Sequence, residues 1–161
     1  MTRERLGNIE NFQPDETVSY TIPCINNITN FKPNSVYLEG QWKNNPDNVE
    51  LQSETGRIVL NYFARSVSIV AGGPPGATGS VSVDNVTDIQ YCLTSFPLSS
   101  SSTSIQKVNE GLGTDISDWR SQFSIDGQRL YNLNSSNEYV QRVITVDVRG
   151  KGFQLYTYTF G

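Results

Sequence analysis

Residues 139–148 have the sequence YVQRVITVDV and residues 153–160 the sequence FQLYTYTF, with RGKG between them at 149–152. Apolar and polar residues alternate in both stretches, which is typical of strands that bury one face of a sheet. Glycine at positions 150 and 152 gives the connection the backbone freedom that a tight turn needs. These residues predict an antiparallel β-hairpin, and therefore a chain built from β-sheet.

The rest of the chain contains more stretches of this kind, separated by Gly, Pro and Asn clusters such as GGPPG at 72–76. The predicted strands cover residues 18–22, 36–42, 49–51, 57–64, 66–71, 80–84, 88–93, 129–133, 139–148 and 153–160. About eight to ten short strands with little helix indicate an all-β fold, an antiparallel β-sandwich or jelly roll. We predict one domain over residues 1–161, in which the serine-rich segment 95–113 is a flexible loop insertion.

Charge and hydropathy exclude several classes of partner. The net charge is −4 and no run of basic residues occurs, so we expect no nucleic-acid partner. No apolar stretch approaches the roughly 20 residues that span a bilayer, so we expect no membrane segment. Residues 1–12, MTRERLGNIENF, lack the apolar core of a signal peptide.

The sequence contains no histidine. That removes Ser-His-Asp and Cys-His catalysis, together with the commonest general base and zinc ligand. The 16 acidic residues are scattered without the context that marks a glycosidase pair. We therefore predict that the chain is not an enzyme.

Cys24 and Cys92 are the two cysteines of the chain, and neither belongs to a C-x-x-C pair. A thioredoxin-type redox motif is therefore absent. The two residues either form one disulfide or are small buried apolar side chains, and the sequence leaves both alternatives open.

Aromatic side chains are the candidates for ligand contact, because the apolar face of a sugar ring stacks on an aromatic ring. The candidates are Trp119, Trp42, Tyr37 and Tyr91. The alternative is that they are core residues, since large aromatics dominate core burial. For Trp42, which lies inside a predicted strand, the core is the expected place.

Four aspartates near predicted loops are the candidates for a metal site. They are Asp84, Asp88, Asp115 and Asp118. Carboxylate oxygens on loops suit a structural Ca²⁺, whereas the alternative is that these aspartates only form turns. We predict no other cofactor.

Several short segments occur in an order that resembles a known family. They are Arg5-Leu6-Gly7 with Phe12, Tyr20-Thr21-Ile22-Pro23, Leu38-Glu39-Gly40-Gln41-Trp42, Gly56-Arg57-Ile58, residues 63–70 (FARSVSIV), residues 129–133 (RLYNL) and residues 156–161 (YTYTFG). Together they resemble the C-terminal domain of DipZ-type thiol–disulfide proteins, in which a thioredoxin-like domain is followed by a jelly roll that is similar to a carbohydrate-binding module.

This resemblance implies a non-catalytic accessory module, either excised from a larger redox protein or standing alone. Redox chemistry would then belong to a thioredoxin-like partner domain, and the location would be extracytoplasmic. The ligand would be a glycan. The alternative function is a protein-interaction or spacer domain that positions the thioredoxin-like partner and its substrates.

Overall fold

The computed structural model describes residues 5–22, 31–85, 111–117 and 121–161. These residues form eight strands and the short 3-10 helix Ile9–Asn11. The strands are β1 (Thr17–Tyr20), β2 (Ser35–Asn44), β3 (Val49–Leu51), β4 (Thr55–Gly72), β5 (Thr78–Asn85), β6 (Gln122–Ser124), β7 (Arg129–Arg149) and β8 (Gln154–Phe160). Every pairing between these strands is antiparallel.

Two long strands, β4 and β7, pair with each other along nearly their whole length. The first half of β4 also pairs with β2, and its second half pairs with β8. The second half of β7 pairs with β5, which carries β6 on its other edge. Each long strand therefore passes from one layer of a β-sandwich into the other. The strand order is β1-β2-β3-β8-β4-β7-β5-β6, and the added β2–β4 pairing closes part of the sheet on itself.

A large irregularity interrupts the β4–β7 ladder where the strands change layer. Ala64 lies opposite Val140, but Ser66 lies opposite Ser135. Residues 136–139 of β7 consequently have no partner on β4, and we call this segment the β7 bulge. Extra residues of this kind bend a strand and re-aim its side chains.

The core follows from the alternation along the strands. Ile58, Leu60 and Tyr62 of β4 are fully buried on the inner face, with the large aromatics Trp42 and Tyr131. A smaller apolar cluster lies on the outer face of the same layer, consisting of Ile22, Phe31, Tyr37, Val59 and Val143. Both faces of the first half of β4 are therefore covered, which explains its nearly continuous apolar sequence.

The predicted fold class is confirmed, but two strand lengths are wrong. The predicted strands 57–64 and 66–71 are one strand, β4, and 129–133 and 139–148 are one strand, β7. The residues that suggested strand ends, Arg65 and 134–137, instead lie in or beside the irregularity of the β4–β7 ladder. The predicted strand 88–93 and most of the predicted loop 95–113 lie outside the described residues, and of that loop Leu112 forms a bridge with Asn134.

The predicted hairpin between residues 139–148 and 153–160 is wrong as a pairing. β7 and β8 are both strands, but β8 pairs with β3 and β4 instead. Both edges of β7 next to the turn are already occupied, since Val148 lies opposite Gly56 on β4 and Gly79 on β5. The turn at 149–152 therefore carries the chain across the sandwich. In the part of the chain that is described, no helix is long and apolar enough to cross a membrane.

Candidate functional site

Trp42, one of the four aromatic candidates for ligand contact, lies in the core, which is the place expected for it. Trp42 is fully buried, and its Nε1 donates a hydrogen bond to the Glu39 carbonyl oxygen at 2.9 Å. Its ring meets the edge of Phe153 at a centroid distance of 6.4 Å. The indole ring is enclosed by protein atoms and its N–H is hydrogen-bonded, so neither face of the ring is accessible to a sugar.

Tyr37 is also a core residue. Its ring packs over Gly7 and meets the edge of Phe31 at a centroid distance of 4.6 Å. Its hydroxyl oxygen accepts a hydrogen bond from the Lys32 backbone N–H at 2.9 Å. For Tyr37 the structure therefore favours the core alternative over ligand contact. Trp119 and Tyr91 lie outside the described residues.

Asp115 is the one predicted metal ligand whose side chain is described. One carboxylate oxygen accepts from Arg129 at 2.7 Å, and the other accepts from the Asn132 backbone N–H at 2.7 Å. This pairing ties residues 111–117 to β7. Asp88 and Asp118 lie outside the described residues, and Asp84 is described only by its place in β5 opposite Val143. No cluster of three metal-ligating residues occurs within the described ranges, and the calcium site stays a prediction.

The Asp115–Arg129 pair belongs to a polar network at the start of β7. Arg129 also binds Asp126 with two hydrogen bonds, at 2.8 and 3.2 Å, and its guanidinium lies 4.0 Å from the ring centre of Tyr131. The hydrogen bond from Arg129 is the main reason that the pKa of Asp126 is lowered. These charged groups satisfy one another, so the network is structural.

An exposed aromatic pair that is not among the predicted site residues lies at the β7 bulge. Phe63 and Tyr139 are 59% and 54% exposed, and their ring centroids are 5.3 Å apart with a 59° tilt. The Arg65 guanidinium lies 5.9 Å from the centre of the Tyr139 ring. Gln141 is exposed directly opposite Phe63 in the ladder. We call Phe63, Arg65, Tyr139 and Gln141 the aromatic patch.

The patch exists because the outer cover of β4 stops short of Phe63. Val59, Asn61 and Phe63 share the outer face by alternation. Val59 is buried in the outer cluster, and the Asn61 amide donates to the Phe31 carbonyl oxygen at 3.1 Å, but Phe63 extends beyond this cover. The sequence held one signal, since Phe63 has the same parity as the polar residues Asn61 and Arg65. The continuous apolar run around it concealed that signal.

The sequence profile of the family described as thioredoxin-like C-terminal domain matches residues 2–95 and 97–161. The chain belongs to that family. The family resemblance inferred from the short segments is thereby confirmed, and the domain is an accessory one. Its membership of the DipZ type in particular stays a prediction.

Two solved structures share the fold of this thioredoxin-like C-terminal domain. One is a family two carbohydrate esterase from Clostridium thermocellum in complex with cellohexaose, and the other is an active-site mutant of a family two carbohydrate esterase from the same organism. Each gives a TM-score of 0.52 at 12% identity over 79% of this chain. This domain spans 31% of the length of the esterase chains, so the likeness concerns the fold alone. No curated protein matches the sequence.

Proposed function

We propose that this domain is a non-catalytic accessory module that binds carbohydrate through the aromatic patch. The observation that carries the proposal is the side-by-side exposure of Phe63 and Tyr139 on a sheet surface. Within the described residues, these are the two aromatic side chains in the group of exposed large apolar residues, which also contains Ile9 and Leu130. Contiguous exposed apolar surface on a folded domain usually marks a contact site.

The chemistry of the patch suits a sugar. A pyranose ring presents C–H groups that pack on an aromatic face, while its hydroxyls need hydrogen-bond partners at the rim. Arg65 places a guanidinium beside the Tyr139 ring. Gln141, opposite Phe63, adds a side-chain amide whose nitrogen also donates to Asn61 Oδ1 at 3.0 Å. A pair of rings tilted by 59° forms a corner, so it would hold one sugar residue from two sides.

The fold supports this proposal without identifying the sugar. The family two carbohydrate esterase that shares this fold was solved in complex with cellohexaose. The proposal for this domain concerns carbohydrate binding and does not include esterase activity. The absence of histidine from the sequence supports a non-catalytic role. In a full-length DipZ-type protein, redox chemistry would belong to a thioredoxin-like domain in the same chain, and the protein would act outside the cytoplasm.

A glycan array followed by titration tests the proposal. The 161-residue chain should bind at least one glycan above background, and Phe63→Ala and Tyr139→Ala should each weaken the affinity by about tenfold or more. Leu130→Ala is the matched control, because Leu130 is 50% exposed but lies far along β7 from the bulge. Glycan binding that survives both aromatic substitutions, or no binding to any glycan, would contradict the proposal.

A second candidate function is a protein-interaction domain that positions a thioredoxin-like partner domain. Leu130 favours it, because this half-exposed side chain lies opposite Val70 on β4, which in turn lies opposite Thr157 on β8. Leu130 and Thr157 are exposed and Val70 is half-buried, and these three residues form a second surface strip in the other layer of the sandwich. A partner domain that packs there would protect Leu130 and leave Phe63 exposed.

A further inference from the structure

The β7 bulge is held by hydrogen bonds that converge on one hydroxyl group. Ser136 Oγ accepts from the Glu138 backbone N–H at 3.2 Å and from Arg142 Nη2 at 2.9 Å. Arg142 Nη1 also donates to the Glu138 carbonyl oxygen at 3.4 Å. The guanidinium therefore contacts the bulge at two of its four residues, and Tyr139 is the next residue in the chain.

Arg142 is an unusual residue for this position. It is only 9% exposed, and it forms no ion pair with a carboxylate in the described parts of the chain. A buried guanidinium is costly unless hydrogen bonds compensate for its lost hydration. Here the compensation comes from the chain atoms and the hydroxyl of the bulge, so the charge is used to hold a backbone segment.

The first end of the bulge is fixed independently of Arg142. Tyr62 Oη donates to Asn134 Oδ1 at 3.0 Å, and the Ser135 backbone N–H donates to the Gly111 carbonyl oxygen at 2.6 Å. The second end rejoins β4 where Val140 lies opposite Ala64. Between these two points, Arg142 and Ser136 provide the side-chain hydrogen bonds described for the bulge.

We propose that Arg142 is a positioning residue for the aromatic patch: it holds the bulge so that the Tyr139 ring packs against Phe63. The consequence for ligand binding rests on the proposed function, whereas the geometric claim does not. A lysine keeps the charge but has a single ammonium group, which cannot span two acceptors as the planar guanidinium does. Arg142→Lys should therefore behave like Arg142→Met rather than like the native protein.

Nuclear Overhauser contacts between the Phe63 and Tyr139 rings test the proposal without a ligand. The native chain should show these contacts. They should be lost in three variants that otherwise keep the amide spectrum of a folded protein: Arg142→Lys, Arg142→Met and Ser136→Ala. Arg149→Met is the matched control, because Arg149 is an exposed arginine at the far end of the same strand. A folded Arg142→Met protein that keeps the native ring contacts would overturn the proposal.

A second variant and a glycan titration complete the test. If Arg142→Met does not fold, Ser136→Ala removes the shared acceptor with a smaller change, and native ring contacts in that variant would overturn the proposal. Titration with the best glycan from the array should show about tenfold weaker binding to Arg142→Lys. Loss of the ring contacts in the variants, combined with no glycan binding by the native chain, would support the positioning role and contradict the proposed function.

Discussion

Buried asparagines provide hydrogen bonds where the backbone has no strand partner. Asn8, Asn44, Asn61 and Asn134 are all at most 2% exposed. The Asn8 side chain accepts from the Leu38 N–H at 3.2 Å and donates to the Leu38 carbonyl oxygen at 2.7 Å. The Asn8 amide thus pairs with β2 as the backbone of a neighbouring strand would. Asn134 is enclosed in the same way, bound to Tyr62 and to Gly111.

Replacing Asn8 should therefore be costly. Asn8→Ala leaves the buried N–H and carbonyl of Leu38 unpaired, together with the Thr21 carbonyl that Asn8 also binds. We expect the free energy of unfolding to fall by about 2–3 kcal/mol, measured by urea denaturation. Asn11→Ala is the control, since Asn11 is exposed, and its cost should stay within about 0.5 kcal/mol. Equal costs for the two substitutions would show that the Asn8 bonds add nothing.

The buried hydroxyl of Tyr62 should make the domain less stable as the pH becomes alkaline. Burial raises the pKa of Tyr62 from 10.0 to about 12, against an opposing effect of the Arg142 charge. As pH rises through this window, the unfolded chain loses a proton that the folded chain retains, so unfolding becomes easier. Stability that is present below pH 10 is therefore lost towards pH 12.

Tyr62→Phe isolates this contribution. The substitution removes the hydrogen bond to Asn134 at every pH, which is a constant offset. Between about pH 9 and about pH 12, the native chain should lose about 2–3 kcal/mol more of its unfolding free energy than Tyr62→Phe loses. Other tyrosines with raised pKa values, such as Tyr20 and Tyr158, contribute equally to both proteins. If urea titrations show that the unfolding free energies of the two proteins fall in parallel with pH, Tyr62 is not the source of the alkaline loss.

At the scale of the element, irregular points in the strands direct the chain between layers. β2 pairs with β4 up to Glu39, with β1 from Gly40 and with β3 from Trp42. Gly40 has a φ of +105°, which side-chain-bearing residues rarely adopt. The change of partner in β2 thus depends on one glycine.

Gly40→Ala should destabilise the domain more than an equivalent change in a loop. A Cβ at position 40 would lie 3.2 Å from the Thr55 carbonyl oxygen, in addition to the strained φ. Gly76→Ala is the matched control, because Gly76 has a φ of +92° but no atom within 4 Å of the added Cβ. We expect costs of about 2–3 kcal/mol for position 40 and about 1 kcal/mol for position 76 in thermal unfolding. A reversed order would contradict the steric argument.

Strand existence was predictable from the sequence, whereas strand pairing was not. Alternation along residues 139–148 and 153–160 located β7 and β8, because side-chain periodicity is a local property. Their partners depend on which edges are free, and β4 and β5 occupy both edges of β7 at Val148. The turn residues 149–152 are compatible with a hairpin and with a crossing between layers, so local chemistry could not decide between them.

The candidate site residues were likewise not predictable from local sequence alone. Trp42 and Tyr37 were candidates because of residue type. The position of Trp42 inside a predicted strand indicated the core, whereas for Tyr37 the burial and the contact with Phe31 decide it. Tyr139 becomes exposed through the β7 bulge, where four residues of β7 face the single residue Arg65 of β4. This mismatch appears only when the register of two distant segments is compared. Such register is a property of the assembled sheet.

At the scale of the whole molecule, the domain offers two exposed surfaces on different layers of the sandwich. The aromatic patch lies on the outer face of β4 and β7 next to the bulge, and the strip around Leu130 lies on the second layer. The patch combines aromatic and polar groups, as a sugar requires, whereas the strip contains no aromatic ring and no charged group. A carbohydrate ligand should therefore bind at the aromatic patch and leave the strip around Leu130 free.

Backbone amide shifts of the labelled domain, followed while the strongest glycan from the array is added, test that claim most directly. The account predicts changes concentrated at residues 63–65 and 138–141, with residues 129–131 and 156–158 unaffected. Changes confined to the Leu130 strip, or no changes at saturating glycan, would contradict it.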